Sequence, residues 1–188
     1  YTDFKDKIKL TEVSFSYDNK KIISNLSFEI NKGDIIAVVG KSGSGKTTIL
    51  NLILGLIKPE AGKITYDSKN INTDLKNWKK LLGYVPQNIN LVDGTIKENI
   101  AFAKETAEIN INKITEVSKN SFIYDFINSL NDKFETLVGD NGVNLSGGQK
   151  QRLGIARSLY ENPKIIVIDE GTSSLDAESE AEIIKFLN

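Results

Sequence analysis

Eight residues, Gly40-Lys41-Ser42-Gly43-Ser44-Gly45-Lys46-Thr47, have the composition of a phosphate cradle. They match the pattern GxxxxGK[ST] at every fixed position. The glycines, with Ser42 and Ser44 between them, let the backbone curl so that successive N–H groups face anionic oxygens. A helix opening near Lys46 adds the positive end of its dipole. Lys46 is a compact cation for terminal phosphates. Thr47 offers a hydroxyl to a Mg²⁺ ion, and Thr48 follows it in the same turn.

Two further stretches carry chemistry of the same kind. Ile165-Ile166-Val167-Ile168 ends in Asp169-Glu170. A buried strand beside the phosphate loop would deliver Asp169 to the Mg²⁺ shell, and Glu170 could polarise a water in line with a γ-phosphate. Adjacent carboxylates repel, and a divalent cation beside one of them offsets that cost. Alone, the pair serves equally as a strand end meeting solvent. Leu145-Ser146-Gly147-Gly148-Gln149 is the third stretch. Ser146 is a good N-cap, and the glycines allow close backbone approach to an anion at a helix N-terminus. A plain capped helix would not need two glycines there.

Two single residues are suggestive only beside these motifs. Gln87 closes GYVPQ and could bring an amide oxygen to Mg²⁺ and the attacking water, or be an ordinary exposed glutamine. Tyr17 could stack on adenine, or be an ordinary sheet aromatic.

The elements needed to hold these groups follow from periodicity. Leu10, Val13, Phe15 and Tyr17 alternate as a strand, Asp18-Asn19 supplies a turn, and Ile23 to Ile30 returns as a second strand. Ile35 to Val39 is a continuous β-branched run, expected as a central strand covered on both faces. TILNLILGLI predicts a buried helix. Lys63 to Tyr66 predicts a strand, Asp74 to Leu82 a helix with the single Trp, and GYVPQ a strand ending at Gln87. TIKENIAF, INKITEVSK and FIYDFINSL are helical, and Ile165 to Ile168 reads as a second fully buried strand. A last helix is expected from Asp176. The fold class is therefore α/β: a P-loop core over 1–87 and 161–188 with a mostly parallel sheet, an antiparallel β part over 1–34, and an inserted helical lobe over 88–160.

The chain has 188 residues, 39% hydrophobic and 26% charged, with net charge −1. Its apolar runs are too short for a membrane span, and no signal-peptide pattern opens it. Scattered basic residues argue against a nucleic-acid partner. With no Cys and no His, thiolate and imidazole metal sites and a Ser-His triad are excluded from these 188 residues.

Taken together and in order, these residues resemble the nucleotide-binding domain of ATP-binding cassette (ABC) transporters over nearly the whole chain. Tyr17 is similar to the aromatic A-loop, residues 40–47 to Walker A, Gln87 to the Q-loop, 145–149 to the ABC signature, 165–170 to Walker B and Ser174-Leu175-Asp176 to the D-loop. The resemblance implies that two such domains pack head to tail with ATP between Walker A of one and the signature of the other. Ser146, Gly147, Gly148 and Gln149 would then touch the partner's γ-phosphate. It implies Glu170 as general base, Lys46 as electrostatic stabiliser, and Thr47, Gln87 and Asp169 around Mg²⁺. NINLVDGTIKENIAF and DFINSLNDKFETLVGDNGVNLSGGQKQR resemble the exporter branch, closest to exporters of lipids, lipid-linked saccharides and peptides. That implies transmembrane helices on the same full-length protein and a place at the cytoplasmic face of a membrane.

Three departures stand out. The family's switch His is missing, which suggests truncation before it. Leu137 and Asp140-Asn141 stand where the exporter X-loop has Glu and Glu-Arg. Gly171 replaces an Ala. Competing readings are a soluble ABC ATPase of DNA repair or translation, lacking here its coiled coil or second cassette, a small-molecule kinase, and a fragment that binds ATP without turnover.

Overall fold

A computed structural model describes residues 3–139 and 142–169. It divides into two compact units, Tyr1–Leu82 and Gly83–Asn188.

In the first unit, β1 (Lys7–Tyr17) and β2 (Lys20–Asn31) form an antiparallel hairpin in which Tyr17 faces Lys20. Its two-residue turn, Asp18-Asn19, has both φ angles positive, 45° and 68°. That geometry matches the twist of the strands it joins, and Asp and Asn adopt it at low cost. Helix α1 (Lys46–Leu54) follows the phosphate loop. It stops sooner than its apolar run, because Gly55 turns left-handed at φ 70° and its N–H closes onto Asn51 and Leu52. Leu56, beyond the stop, is exposed. Strand β3 (Ala61–Tyr66) pairs with the other edge of β1, and β4 (Lys69–Asn70) with β3, giving the order β2-β1-β3-β4. Ile8 and Leu10 alternate inward along β1, an irregularity between Leu10 and Val13 brings Val13 to the buried side as well, and Ile64 and Tyr66 alternate inward along β3. Helix α2 (Leu75–Lys80) buries Trp78.

The run Ile35–Val39 departs from the expected central strand. It forms no strand, and Ile35, Ile36 and Val39 are 60%, 50% and 87% exposed. β-branched composition supplies propensity, but a ladder needs a neighbour. Among the described residues no strand pairs with this run.

Strand β5 (Leu82–Val85) leads into the second unit and ends before Pro86 rather than at Gln87. Proline has no N–H to continue a ladder. Strand β6 (Gly94–Thr95) leads into α3 (Ile96–Ile100), then come α4 (Ile111–Asn120) and α5 (Tyr124–Ser129). Strand β7 (Leu137–Val138) pairs with β6, a short ribbon that periodicity did not predict. Helix α6 (Gly147–Leu159) and β8 (Ile165–Ile168) complete the described part. Ile96, Ile100, Ile114, Ile127 and Leu153 sit in one core that ties α3, α4, α5 and α6 together.

Strand β8 pairs with β5. Of its four apolar residues only Val167 is buried, so the expectation of full burial is not met. Among the described residues β5 is its one strand neighbour. Among the described residues no helix is long and apolar enough to cross a membrane. Glu170, Gly171, the stretch Ser174-Leu175-Asp176 and the helix expected from Asp176 lie outside the described residues, as do Asp140 and Asn141.

Candidate nucleotide site

The phosphate loop is bare at the end where it meets a ligand. Gly45 is the N-cap of α1 at φ 94°, so this helix has no side-chain N-cap, and its first turn has no acidic residue. The first amides of a helix have no partner within it. Ile49 N–H is the first to close, onto Gly45 O at 2.9 Å. The amides of Lys46, Thr47 and Thr48 are left for an anion.

Gly43 and Gly45 have φ of 76° and 94°, where glycine is favoured, and Gly40 packs closely on Ser44. A Cβ on Gly40 would stand 2.5 Å from Ser44 Oγ, and one on Gly45 would stand 3.0 Å from Ile22. Lys41, Ser42, Gly43 and Ser44 are exposed, as is Thr47, while Gly45 and Thr48 are buried. Lys46 Nζ folds back over the loop and donates to Gly40 O at 3.1 Å and Lys41 O at 3.3 Å. Those weak carbonyl acceptors hold the cation above the loop, where a phosphate would compete for it.

The LSGGQ stretch is a second helix start, built differently. Ser146 Oγ accepts from Gln149 N–H at 3.2 Å, and Gln149 Oε1 accepts from Ser146 N–H at 2.8 Å. This capping box satisfies the amides of Ser146 and Gln149. The two amides left over belong to Gly147 and Gly148, the residues without side chains. Ser146 and Gly147 are exposed and Leu145 is buried beneath them.

Asp169 follows β8, and its N–H donates to Val85 O, the end of β5, at 2.9 Å. Gln87 leaves the same end of β5 two residues later and is exposed. Two of the three predicted magnesium ligands, Gln87 and Asp169, therefore emerge from neighbouring strand ends. Asp169 is 8% exposed. Its carboxylate makes no hydrogen bond to a described residue. Burial, then the negative charge of Asp169, pushes the Tyr84 hydroxyl above the ordinary phenol value. A buried carboxylate without a hydrogen-bond partner among the described residues fits a bound cation. Among the described residues no group of three or more acidic side chains could hold a metal alone. Tyr17 ends β1 with its ring 45% exposed and its edge against Phe15 at 4.8 Å. Such a ring is available for stacking.

Sequence reasoning missed a polar centre behind α6. Asn99, fully buried in α3, uses its amide twice over. Its Oδ1 accepts from Val92 N–H at 3.0 Å, and its Nδ2 donates to Val92 O at 2.9 Å. Arg157 of α6 donates to Asn99 O at 2.7 Å, to Asn99 Oδ1 at 2.9 Å and to Asn90 O at 2.9 Å. Its guanidinium also lies 5.1 Å from the Phe102 ring. Burial pulls the Arg157 pKa below its ordinary value. The signal was an asparagine between Ile96 and Ile100 on the apolar face of a helix.

Comparisons with known proteins give the family. The family model for ABC transporters matches residues 23–173. The protein is 41% identical over 178 residues to a multidrug resistance ABC transporter ATP-binding and permease protein of Lactococcus lactis, covering 94% of this chain and 30% of that one. It is 41% identical over 182 residues to an ATP-dependent lipid A-core flippase of Aliivibrio fischeri, covering 95% and 31%. Among solved structures, a bacterial Atm1-family ABC exporter with ATP bound superposes with a TM-score of 0.89 at 37% identity, over 97% of this chain and 32% of that one. The chain belongs to the ABC transporter family. Its relatives include ATP-binding components of exporters and flippases, and it spans about a third of their length.

Proposed function

We propose that this chain is the ATP-binding and ATP-hydrolysing domain of an ABC exporter. The observation that carries the reading is the pair of helix starts that leave backbone amides open to an anion. One is the uncapped α1 with Lys46 beside it, and the other is the α6 start whose free amides fall on Gly147 and Gly148. Each suits one side of a polyphosphate. One domain with two such starts is explained by two copies packed head to tail, each ATP lying between the phosphate loop of one and LSGGQ of the other.

In this reading Gly40, Ser42, Gly43, Ser44 and Gly45 present amides to the β- and γ-phosphates, and Tyr17 stacks on the adenine. Lys46 moves from the loop carbonyls to the γ-phosphate and stabilises the charge that grows on it during in-line displacement. Thr47, Gln87 and Asp169 would hold Mg²⁺, which when bound neutralises phosphate charge. Glu170 accepts a proton from the attacking water, whose oxygen forms the new P–O bond as the bond to ADP breaks. Loss of the γ-phosphate removes what both halves share and loosens the dimer.

The finer architecture belongs to the same proposal: a mostly parallel P-loop core, an inserted helical lobe and a transmembrane domain on the full-length protein, with this domain at the cytoplasmic face. The direct test is calorimetric titration of the purified chain with ATP and Mg²⁺. Saturable binding of one nucleotide per chain is expected, and no binding contradicts the reading.

A further inference from the structure

We propose that Trp78 is a positioning residue for phosphate binding: its indole caps the far end of α1 and fixes the seat from which Lys46 and Thr47 meet the phosphates. This rests on the ATP-binding reading above.

The last carbonyls of a helix have no partner within it. In α1, Asn51 O and Leu52 O accept from the backbone N–H groups of Leu56 and Gly55. Ile53 O has no backbone donor of this kind. It accepts instead from Trp78 Nε1 at 2.8 Å, in a buried hydrogen bond. Trp78 of α2 therefore caps the carbonyl end of α1 with its indole.

The indole is itself held. Trp78 is 0% exposed, and its ring lies 4.9 Å from that of Tyr66, tilted by 33°. The Tyr66 hydroxyl donates to Asp74 Oδ2 at 2.5 Å, and Asn77 Nδ2 donates to Asp74 Oδ1 at 2.7 Å. The exit of α1 is pressed against α2 as well. A Cβ on Gly55 would stand 2.6 Å from Leu75 Cδ1. The carbonyl end of α1 is thus anchored through one indole to β3 and α2.

The opposite end has no such anchor. Gly45 carries no capping group. The side chains nearest it are those of Ile22 and Ile23 of β2, apolar groups that offer the first amides of α1 no hydrogen bond. A helix of nine residues is a rigid rod of about 13 Å, so an axial shift at one end appears at the other. The axial position of Lys46 is set from Trp78.

The test uses the whole 188-residue protein. Trp78→Phe keeps an aromatic ring and removes the N–H. Its ATP dissociation constant, measured by calorimetry under conditions where circular dichroism shows it folded, should rise about three- to tenfold, the span of one hydrogen bond. Ile64→Val, a core change in the same unit that lowers the melting temperature, should leave that constant unchanged. Wild-type affinity in Trp78→Phe overturns the proposal, and so does an equal loss in Ile64→Val. Should Trp78→Phe not fold, Tyr66→Phe reads the same support: a smaller loss in the same direction upholds it, and none overturns it. Absence of ATP binding by the wild-type protein defeats the ATP-binding reading itself, and this proposal with it.

Discussion

Arg157 and Asn99 are 58 residues apart in sequence and share two hydrogen bonds, Nε to the Asn99 carbonyl at 2.7 Å and Nη2 to its side-chain oxygen at 2.9 Å. The planar guanidinium reaches both acceptors at once, and lysine cannot. Arg157→Lys should therefore leave a buried acceptor unpaired and lower the unfolding free energy by about 2 kcal/mol. Urea denaturation measures this. A change within about 0.5 kcal/mol, the spread of ordinary surface substitutions, would show that the pair is dispensable.

Lys46 makes a contrasting case. Without ligand its ammonium touches only two loop carbonyls near the surface. Lys46→Ala should leave the melting temperature of the ligand-free protein nearly unchanged. It should weaken ATP binding by about tenfold or more, as expected for loss of a charge-assisted contact. Equal affinity in the variant would remove Lys46 from the site.

Alkaline pH probes the support of α2. Burial first, then the hydrogen bond to Asp74, pushes the Tyr66 hydroxyl up to about 12. An unfolded tyrosine ionises near 10. Between these values the unfolded state loses a proton that the folded state keeps, so stability falls as pH rises from about 10 toward about 12. Thermal melts across that window should decline less steeply for Tyr66→Phe. Identical slopes would mean that Tyr66 titrates normally.

Much of the site was legible because its determinants are local. GxxxxGK[ST] specifies a loop and a helix start within eight residues, and the Leu10, Val13, Phe15, Tyr17 alternation specifies a strand on its own. Ser146 was legible as an N-cap, and Gln149, three residues later, completes a capping box in the S-x-x-Q pattern that Thr95 and Glu98 repeat at α3. What could not be read depends on distant partners. Ile35–Val39 has strand composition, yet its state is decided by whether a neighbour completes the ladder. Asn99 in TIKENIAF is a polar residue with no evident use until Arg157 is brought to it. The indole of Trp78 meets Ile53 across 25 residues of sequence.

Glu170 is the proposed general base. Glu170→Gln keeps the size of the side chain and removes its basicity at neutral pH. Phosphate release should fall by about a hundredfold or more, while ATP binding by calorimetry remains. Hydrolysis at the wild-type rate would reassign the base.

The central claim is that LSGGQ completes an ATP site on a second copy of the domain. Light scattering of the Glu170→Gln variant with ATP and Mg²⁺ tests it most directly, with and without Ser146→Arg, in proteins that circular dichroism shows to be folded. The account predicts that ATP doubles the mass of Glu170→Gln, whereas the Ser146→Arg form binds ATP and stays monomeric. A Ser146→Arg form that still dimerises on ATP would contradict it.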